Sequence, residues 1–576
     1  MTRLAALCLA LVIAPSAHAQ TIYPLNRAEI LAGARFDLKV EFPGSPAQGA
    51  VRVTINGRDA AAGAGRAVSF VEHEDGGEFS AYWIRGVALT APGNYVVEAT
   101  VGDKAARVNW DVFAPGAPKA KNVILFIGDG MSIAHRTAAR ILSKGLVEGR
   151  YGGELAIDDM PHMALVSTSG TDSVVTDSAN SMSAYATGHK SCVNALGVYC
   201  ARNKGNLDHP RVETIGELVK RTRGMAVGVV TNTEIEDATP AGMVAHNRLR
   251  ADYNNIVKDF FAVAPDVMMG GGTPNFRPAS AGGKRSDGED YIRKFQDAGY
   301  AFVETRTDLM SAGPKATKLL GLFNPVNIDG ALDRFFLKKG SVAKFPDQPD
   351  LTEQVKVALD VLSKNDKGFV LMVESGRIDK YSHSLDWERA VYDTIMLDNA
   401  VKVAKDFAAA RNDDTLIIVV ADHTHGVAIV GTYDDEKSGP MRARLGTYAQ
   451  SRFPNYPPAN ADGYPDKVDV SRRLAFVFST YPDNCDNARP YLDGENVPAV
   501  EGEQKGTYVA NEKDCARPDA VRREGNLPSN INAGVHAADD VVLTATGPGA
   551  EMFHGHMENT RVFRVIATAL GLRGAE

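Results

Sequence analysis

The sequence predicts an α/β protein built on a mostly parallel central sheet with helices on both faces, preceded by an all-β unit. Three observations carry this expectation. After residue 121, near-continuous apolar and β-branched runs alternate with helical stretches, the pattern of strands buried on both faces. Before it, short segments alternate apolar and polar residues between turn signals. Acidic residues or histidines follow the apolar runs, where open α/β sheets place their ligands.

The chain has 576 residues, 44% of them hydrophobic, too many for one small core. Lys+Arg of 63 against Asp+Glu of 71 gives 63 − 71 = −8, so bulk charge offers no hold on nucleic acid or an anionic membrane. Residues 1–19 read as a signal peptide: Arg3, an apolar run from Leu4 to Ala14, then Ala17-His18-Ala19, with cleavage expected after Ala19. No later stretch is long and apolar enough to span a bilayer, so a periplasmic or secreted protein is expected. Beyond Cys8 in the signal segment, Cys192, Cys200, Cys485 and Cys515 allow three connectivities. Each close pair lies in one loop-like segment, which favours the local bridges Cys192–Cys200 and Cys485–Cys515.

Residues 20–117 form the β unit. Phe36–Val40, Val51–Ile55, Phe79–Trp83, Tyr95–Thr100 and Arg107–Val112 have period two, with turns at Asn56-Gly57 and Pro92-Gly93-Asn94, which predicts an immunoglobulin-like β-sandwich. Pro115-Gly116-Ala117-Pro118 reads as a linker to a domain over 118–576. There, Asn122–Ile127, Ala226–Val230, Gly368–Val373 and Thr415–Val420 are the buried strands.

Asp129 follows the first of these runs, Glu374 and Asp379 the third, and Asp422-His423 the fourth. Any one of these carboxylates could be a helix cap; the recurrence at strand ends points to a site. Asp379 and His383 stand four apart, on one helical face, able either to chelate a metal or to bond each other. In Asp422-His423-Thr424-His425, His423 can reach a metal while His425 orients another ligand. Thr176 to Lys190 reads as a helix of small residues with an acidic cap. Ser178 in its first turn is either a nucleophile at the positive end of the helix dipole or simply the N-cap. No Gly-x-Ser-x-Gly elbow surrounds it, which favours activation by metal over a hydrolase triad.

From Lys121 to Leu572 the sequence resembles the alkaline phosphatases. The matching blocks are Asn122–Met131, Thr176–Ala179 with Ala186–Lys190, Asp237–Gly242 with His246, Val373–His383, Ala421–His425 and His536–Asp540. The resemblance implies two Zn2+ and one Mg2+. Asp379, His383 and His536 would hold the first zinc; Asp129, Asp422, His423 and the Ser178 oxygen would hold the second. Asp129, Thr239, Glu374 and waters would hold magnesium, one water being set by Asp237. Asp177 and His425 would support these ligands, and Arg250 would clamp the phosphoryl group, with Arg248 as the competing choice. Asp237 and Lys380 stand where animal relatives carry histidines, which implies the bacterial, magnesium-binding type, with Lys380 contacting phosphate through water. The implied reaction is hydrolysis of phosphate monoesters through a phosphoserine, with net retention at phosphorus and transfer to alcohols as a side reaction.

Asp287 resembles one ligand of a further calcium site, but Arg277 puts a cation where a carboxylate would be expected, so calcium is not predicted. The stretch from about Thr432 to Gly534 has the length of the crown insertion found in larger relatives. The β unit replaces the arm that often embraces a partner subunit, which leaves a homodimer open. Phosphate scavenging is the expected role. Two other readings remain to be weighed: a phosphodiesterase on the same metal scaffold, and a binding protein that works through its β unit with a decayed catalytic domain.

Overall fold

The computed structural model describes residues 20–412 and 414–573; the signal segment read over 1–19 lies outside them. The chain divides into two compact units. One comprises the residues up to Phe113 together with Arg202–Lys204, and the other Ala114–Ala201 and everything from Gly205 onward.

The first unit is β-rich, with two sheets. One orders Thr21–Tyr23, Arg35–Pro43, Phe79–Ala88 and Ser69–Val71 side by side; the other orders Glu29–Leu31, Lys104–Phe113, Gly93–Val101, Val51–Ile55 and Arg58–Asp59. The five alternating segments of the sequence all lie in these strands. Asn56 and Gly57, at φ 49° and 77°, make the tight turn between Val51–Ile55 and Arg58–Asp59, a conformation that Asn-Gly adopts at least cost. Trp110 is fully buried, meets Phe36 edge to face at 5.5 Å and donates its ring N–H to the Pro24 carbonyl. The pairing of Glu29–Leu31 with Lys104–Phe113 is parallel, which period-two patterning does not reveal.

The second unit carries a ten-stranded sheet. In chain order its strands are β1 (Asn122–Gly128), β2 (His162–Ser167), β3 (Ala226–Glu234), β4 (Val267–Gly271), β5 (Ala301–Val303), β6 (Leu319–Leu322), β7 (Phe369–Ser375), β8 (Thr415–Val420), β9 (Val541–Thr546) and β10 (Gly555–Glu558). Their spatial order is β5-β6-β4-β3-β7-β1-β8-β9-β2-β10. The sheet is mixed: β9 runs antiparallel to both its neighbours, and the other seven pairings are parallel. The four apolar runs of the sequence are the adjacent strands β3, β7, β1 and β8. Every residue in them is buried although successive side chains point to opposite faces, so both faces of the sheet are covered. Each Val, Ile or Leu so enclosed contributes roughly 1.5–3 kcal/mol. A charge at Ile124 would therefore break the centre of the sheet.

Register sets the position of the site. Thr231 of β3, Glu374 of β7, Ile127 of β1 and Val420 of β8 lie in one row across the sheet. Two residues further on, just past the ends of β1 and β8, Asp129 and Asp422 come to the same imidazole, His423, at 3.3 Å each. Between Val427 and Gly534 the chain forms small antiparallel sheets, pairing Val427–Asp434 with Arg472–Phe478, Asn484–Asp486 with Val521–Arg523, and Ala499–Glu501 with Tyr508–Ala510. Cys192 is bonded to Cys200 and Cys485 to Cys515. Among the described residues, no helix is long and apolar enough to cross a membrane.

Candidate active site

Ser178 opens helix α1 (Ser178–Thr187). The N-cap is Asp177, whose carboxylate accepts the Asn180 N–H at 3.2 Å, while the Asn180 side chain returns a bond to the Asp177 N–H; Gly188, at φ 77°, closes the helix. Ser178 is thus the first helical residue, and its hydroxyl is free of capping duty. It is buried, with Oγ 3.3 Å from His423 Nε2.

His423 and the two strand-end aspartates form one group of metal-ligand atoms. His423 Nε2 lies 3.3 Å from Asp129 Oδ1 and 3.3 Å from Asp422 Oδ2. Both carboxylate oxygens are buried without a hydrogen-bond donor among the described residues. The other Asp422 oxygen accepts the Gly130 and His423 N–H groups, which aims Oδ2 at the group's centre. Burial, and the charge of Asp379, push Asp422 up to about 7. Burial, with Asp422, Asp379 and Glu374 nearby, holds Asp129 well above the usual carboxylate range. Both groups therefore call for a cation that would restore their charge.

The second group gathers around Asp379 on helix α3 (Arg377–His383). His383 Nε2 lies 3.3 Å from Asp379 Oδ2, and His536 Nε2 lies 3.3 Å from Oδ1, which also meets His425 Nε2 at 2.7 Å. His383 Nδ1 donates to the Gly534 carbonyl and His536 Nδ1 to the Thr176 carbonyl. With both Nδ1 protons so used, two Nε2 lone pairs face each other at 3.1 Å, a contact that a metal ion between them would relieve. Burial opposes ionisation of Asp379, but His383 when protonated, with hydrogen bonds from His425 and His536, holds it well below its usual range, and beside the neutral imidazoles a cation would supply that stabilisation instead. Gly130, at φ 65°, permits the close approach: a Cβ there would stand 2.8 Å from the His425 ring and 3.0 Å from Asp379.

Glu374, in β7, is raised by burial and accepts from the hydroxyls of Thr231 and, at 3.0 Å, Thr233. Thr239 lies on the short helix α2 (Ala238–Ala241), its hydroxyl oxygen buried and without a partner. Asp237 caps that helix and takes Lys380 Nζ at 2.7 Å and Arg250 Nη2 at 2.9 Å. Burial works against its charge, yet these two cations keep its carboxyl well below the ordinary range. Arg250 Nη1 also reaches Asp177 Oδ2 at 3.1 Å. Arg248, by contrast, donates to the Val193 carbonyl.

Ser178, Asp129, Asp422, His423, Asp379, His383, His425 and His536 therefore meet in two groups that touch where the His423 and His536 rings stack at 3.5 Å, and the chain Asp177–Arg250–Asp237–Lys380 links the caps of α1 and α2. Other residues singled out in the sequence lie elsewhere. His246 is held between Gly197 and Glu217 at 2.9 Å each, and Asp540 faces His556. Asp287 is taken by Arg285 at 2.6 Å and Lys258 at 3.5 Å, so cations already occupy its carboxylate. Sequence reading missed the Thr231 and Thr233 hydroxyls on Glu374, whose only signal is their strand register. It also missed His135, which ties Ser132, just beyond Asp129, to Ser382 on α3 at 3.1 Å each.

A family model described as alkaline phosphatase matches residues 120–572. The chain belongs to the alkaline phosphatase family. Similar relatives include the alkaline phosphatase of Gadus morhua, 28% identical over 487 residues (78% of this chain, 92% of that one), and the tissue-nonspecific isozyme of Mus musculus, 30% identical over 491 residues (78% and 83%). Among solved structures, the alkaline phosphatase of Thermus thermophilus aligns with a TM-score of 0.57 at 26% identity, over 80% of this chain and 93% of that one. The protein is a hydrolase of phosphate monoesters, and the match covers the unit that holds both ligand groups.

Proposed function

We propose that this alkaline phosphatase is an exported enzyme that hydrolyses phosphate monoesters through a phosphoserine on Ser178. The observation that carries the reading is the buried Ser178 hydroxyl at the head of α1, 3.3 Å from His423 Nε2, beside Asp129 Oδ1 and Asp422 Oδ2, which no donor among the described residues reaches. The donor sets fit the implied metals: Asp379, His383 and His536 for one Zn2+, Asp129, Asp422, His423 and Ser178 for the other, and the all-oxygen set Asp129, Glu374 and Thr239 for Mg2+, with Asp237 orienting a water. Bound there, the ions would lower the pKa of coordinated hydroxyls and neutralise charge on the departing oxygen.

The chain's own residues do the rest. The N-terminus of α1 presents its N–H groups and positive dipole end to an anionic phosphoryl group. Arg250 has a planar fork suited to two phosphoryl oxygens, and Asp177 and Asp237 hold that fork in place. Ser178 Oγ bonds to phosphorus as the ester P–O bond breaks, releasing the alcohol; water then attacks phosphorus, the Oγ–P bond breaks, and serine and inorganic phosphate are regenerated. Lys380, paired with Asp237, adds a positive charge beside the entering dianion. Two inversions give net retention.

The disulfides support export to a periplasmic or secreted location, and phosphate scavenging is the role that suits such an enzyme. The residues between about 432 and 534 are read as a crown-like insertion, and the β unit as an immunoglobulin-like sandwich. The test compares an aryl phosphate monoester with its diester, with zinc and magnesium present and after chelation. Strong monoester preference that is lost on chelation and regained with metal is expected, and Ser178→Ala should cost about 10⁴-fold in kcat. Diester preference, or an acid-stable phosphoserine persisting in the variant, would overturn the reading.

A further inference from the structure

We propose that the loop closed by the Cys192–Cys200 disulfide is a positioning device for Arg250, acting through the backbone of Asn194. The proposal rests on the reading that Arg250 grips the phosphoryl group.

Asn194 stands at φ 67°, in the left-handed region that asparagine enters more readily than other side-chain-bearing residues and glycine enters freely. In that conformation its N–H and C=O serve two different parts of the site. The N–H donates to Asp177 Oδ1 at 3.2 Å, and the C=O accepts the Arg250 N–H at 2.8 Å. Asp177 is the cap of the Ser178 helix, and its other oxygen holds the Arg250 guanidinium. One peptide segment therefore fixes Arg250 at its backbone directly and at its guanidinium through Asp177. Release of Asn194 would loosen both ends together.

The loop is built to keep that segment still. Leu196 and Asn247 exchange N–H···O bonds at 2.8 and 2.9 Å, three residues before Arg250. The Val193 N–H is taken by Asp172 and its carbonyl by Arg248, which commits the neighbouring guanidinium to the loop rather than to substrate. Ser183 of α1 accepts the Gly197 N–H at 3.0 Å and donates to the Ala195 carbonyl. Inside the loop, Cys192, Ala195 and Val198 are buried against one another and against Cys200. So small a cluster supplies little burial energy. The cross-link, closing a loop of sequence separation 8, removes the disordered alternatives that would compete with a left-handed residue at the apex.

The test uses the metal-loaded enzyme and reads the inhibition constant for inorganic phosphate, KM and kcat for an aryl phosphate, and zinc and magnesium content. Cys192→Ala/Cys200→Ala should raise both the inhibition constant and KM by about tenfold, with kcat changed by less than about threefold and metal content unchanged. Because that variant could fail to fold, Asn194 gives a second measurement. N194A, which retains a Cβ at positive φ, should weaken phosphate inhibition by about fivefold, whereas N194G, which adopts that φ freely, should rescue it to within about twofold of the parent. R250A, run alongside, should weaken phosphate inhibition at least as much. Parental inhibition constants in folded loop variants, with R250A weakened, would overturn the positioning role and leave the Arg250 reading standing. An R250A enzyme with parental inhibition would overturn that reading and the proposal with it.

Discussion

Each unit of this protein buries acidic side chains, and it treats them in opposite ways. In the β unit, fully buried Lys39 lies 2.8 Å from Glu41 and 2.7 Å from Glu74, with the Trp83 ring 4.7 Å from its ammonium, and Trp83 donates its ring N–H to Glu74. Arg202, of the same unit, lies 3.7 Å from Glu41, so two cations face the two carboxylates. At the sheet edge of the other unit, Asp129, Asp422 and Glu374 face one another, and Asp129 and Asp422 aim oxygens that no donor reaches. In the β unit, buried acids supplied with their own cations are part of the scaffold. Buried acids that lack one make a binding site, because their desolvation is recovered only when a ligand arrives.

The comparison can be broken at its first member. Lys39→Met takes the cation from buried Glu74 and leaves Glu41 only Arg202, 3.7 Å away, and the β unit should lose about 3–5 kcal/mol of stability, read by urea unfolding through the fluorescence of Trp83 and Trp110. Replacing Glu41 and Glu74 by leucine and methionine in the same chain should restore most of it. A loss below about 1 kcal/mol in the single variant would mean that the cluster is not a closed structural unit. The content of bound metal should remain that of the parent in both.

At the second member, His425→Ala removes the 2.7 Å partner of Asp379 while leaving the other imidazoles of that group in place. Zinc affinity should fall about 10- to 100-fold, measured by competition with a chelator of known affinity. Unchanged affinity would show that Asp379 needs no orienting partner.

The smallest effect sharpens the contrast with a pair that is neither scaffold core nor ligand. His246 is raised to about 9: burial works against its charge, and the Glu217 carboxylate at 2.9 Å outweighs that. A histidine whose folded pKa lies above its unfolded value of 6.5 contributes stability that is complete below pH 6.5 and is lost as pH rises through about 9. Between about pH 6 and pH 10 the parent should lose roughly 1–2 kcal/mol that His246→Gln does not, after allowance for the partial exposure of Glu217. Parallel stability curves for the two proteins would remove the pair from the account.

Much of the site was legible because its residues fall at strand ends or within one helical turn. Asp129, Glu374 and Asp422 could be found from where apolar runs stop, and Asp379 with His383 from a spacing of four, since both rules depend only on local periodicity. Ser178 remained open between cap and nucleophile until the structure gave the cap to Asp177, one residue earlier. The role proposed for it, like those proposed for Arg250 and His536, came from the family resemblance alone, since His536 reaches Asp379 across more than 150 positions, a separation that no local pattern encodes.

The sequence by itself determined which segments are buried strands, where they stop, and which side chains emerge there, because burial on two faces demands unbroken apolar runs and a strand's end is written in its neighbours. It also determined the cysteines close enough in sequence to pair. Only the tertiary structure decided that β3, β7, β1 and β8 lie side by side in one register, that β9 returns antiparallel beside β8, and that Gly534 and Thr176 carbonyls fix the tautomers of His383 and His536. It alone, too, brought Asn194 between Asp177 and Arg250. Each of these contacts has a backbone group on at least one side, which every residue carries alike, and its partner is chosen by the packing of distant elements.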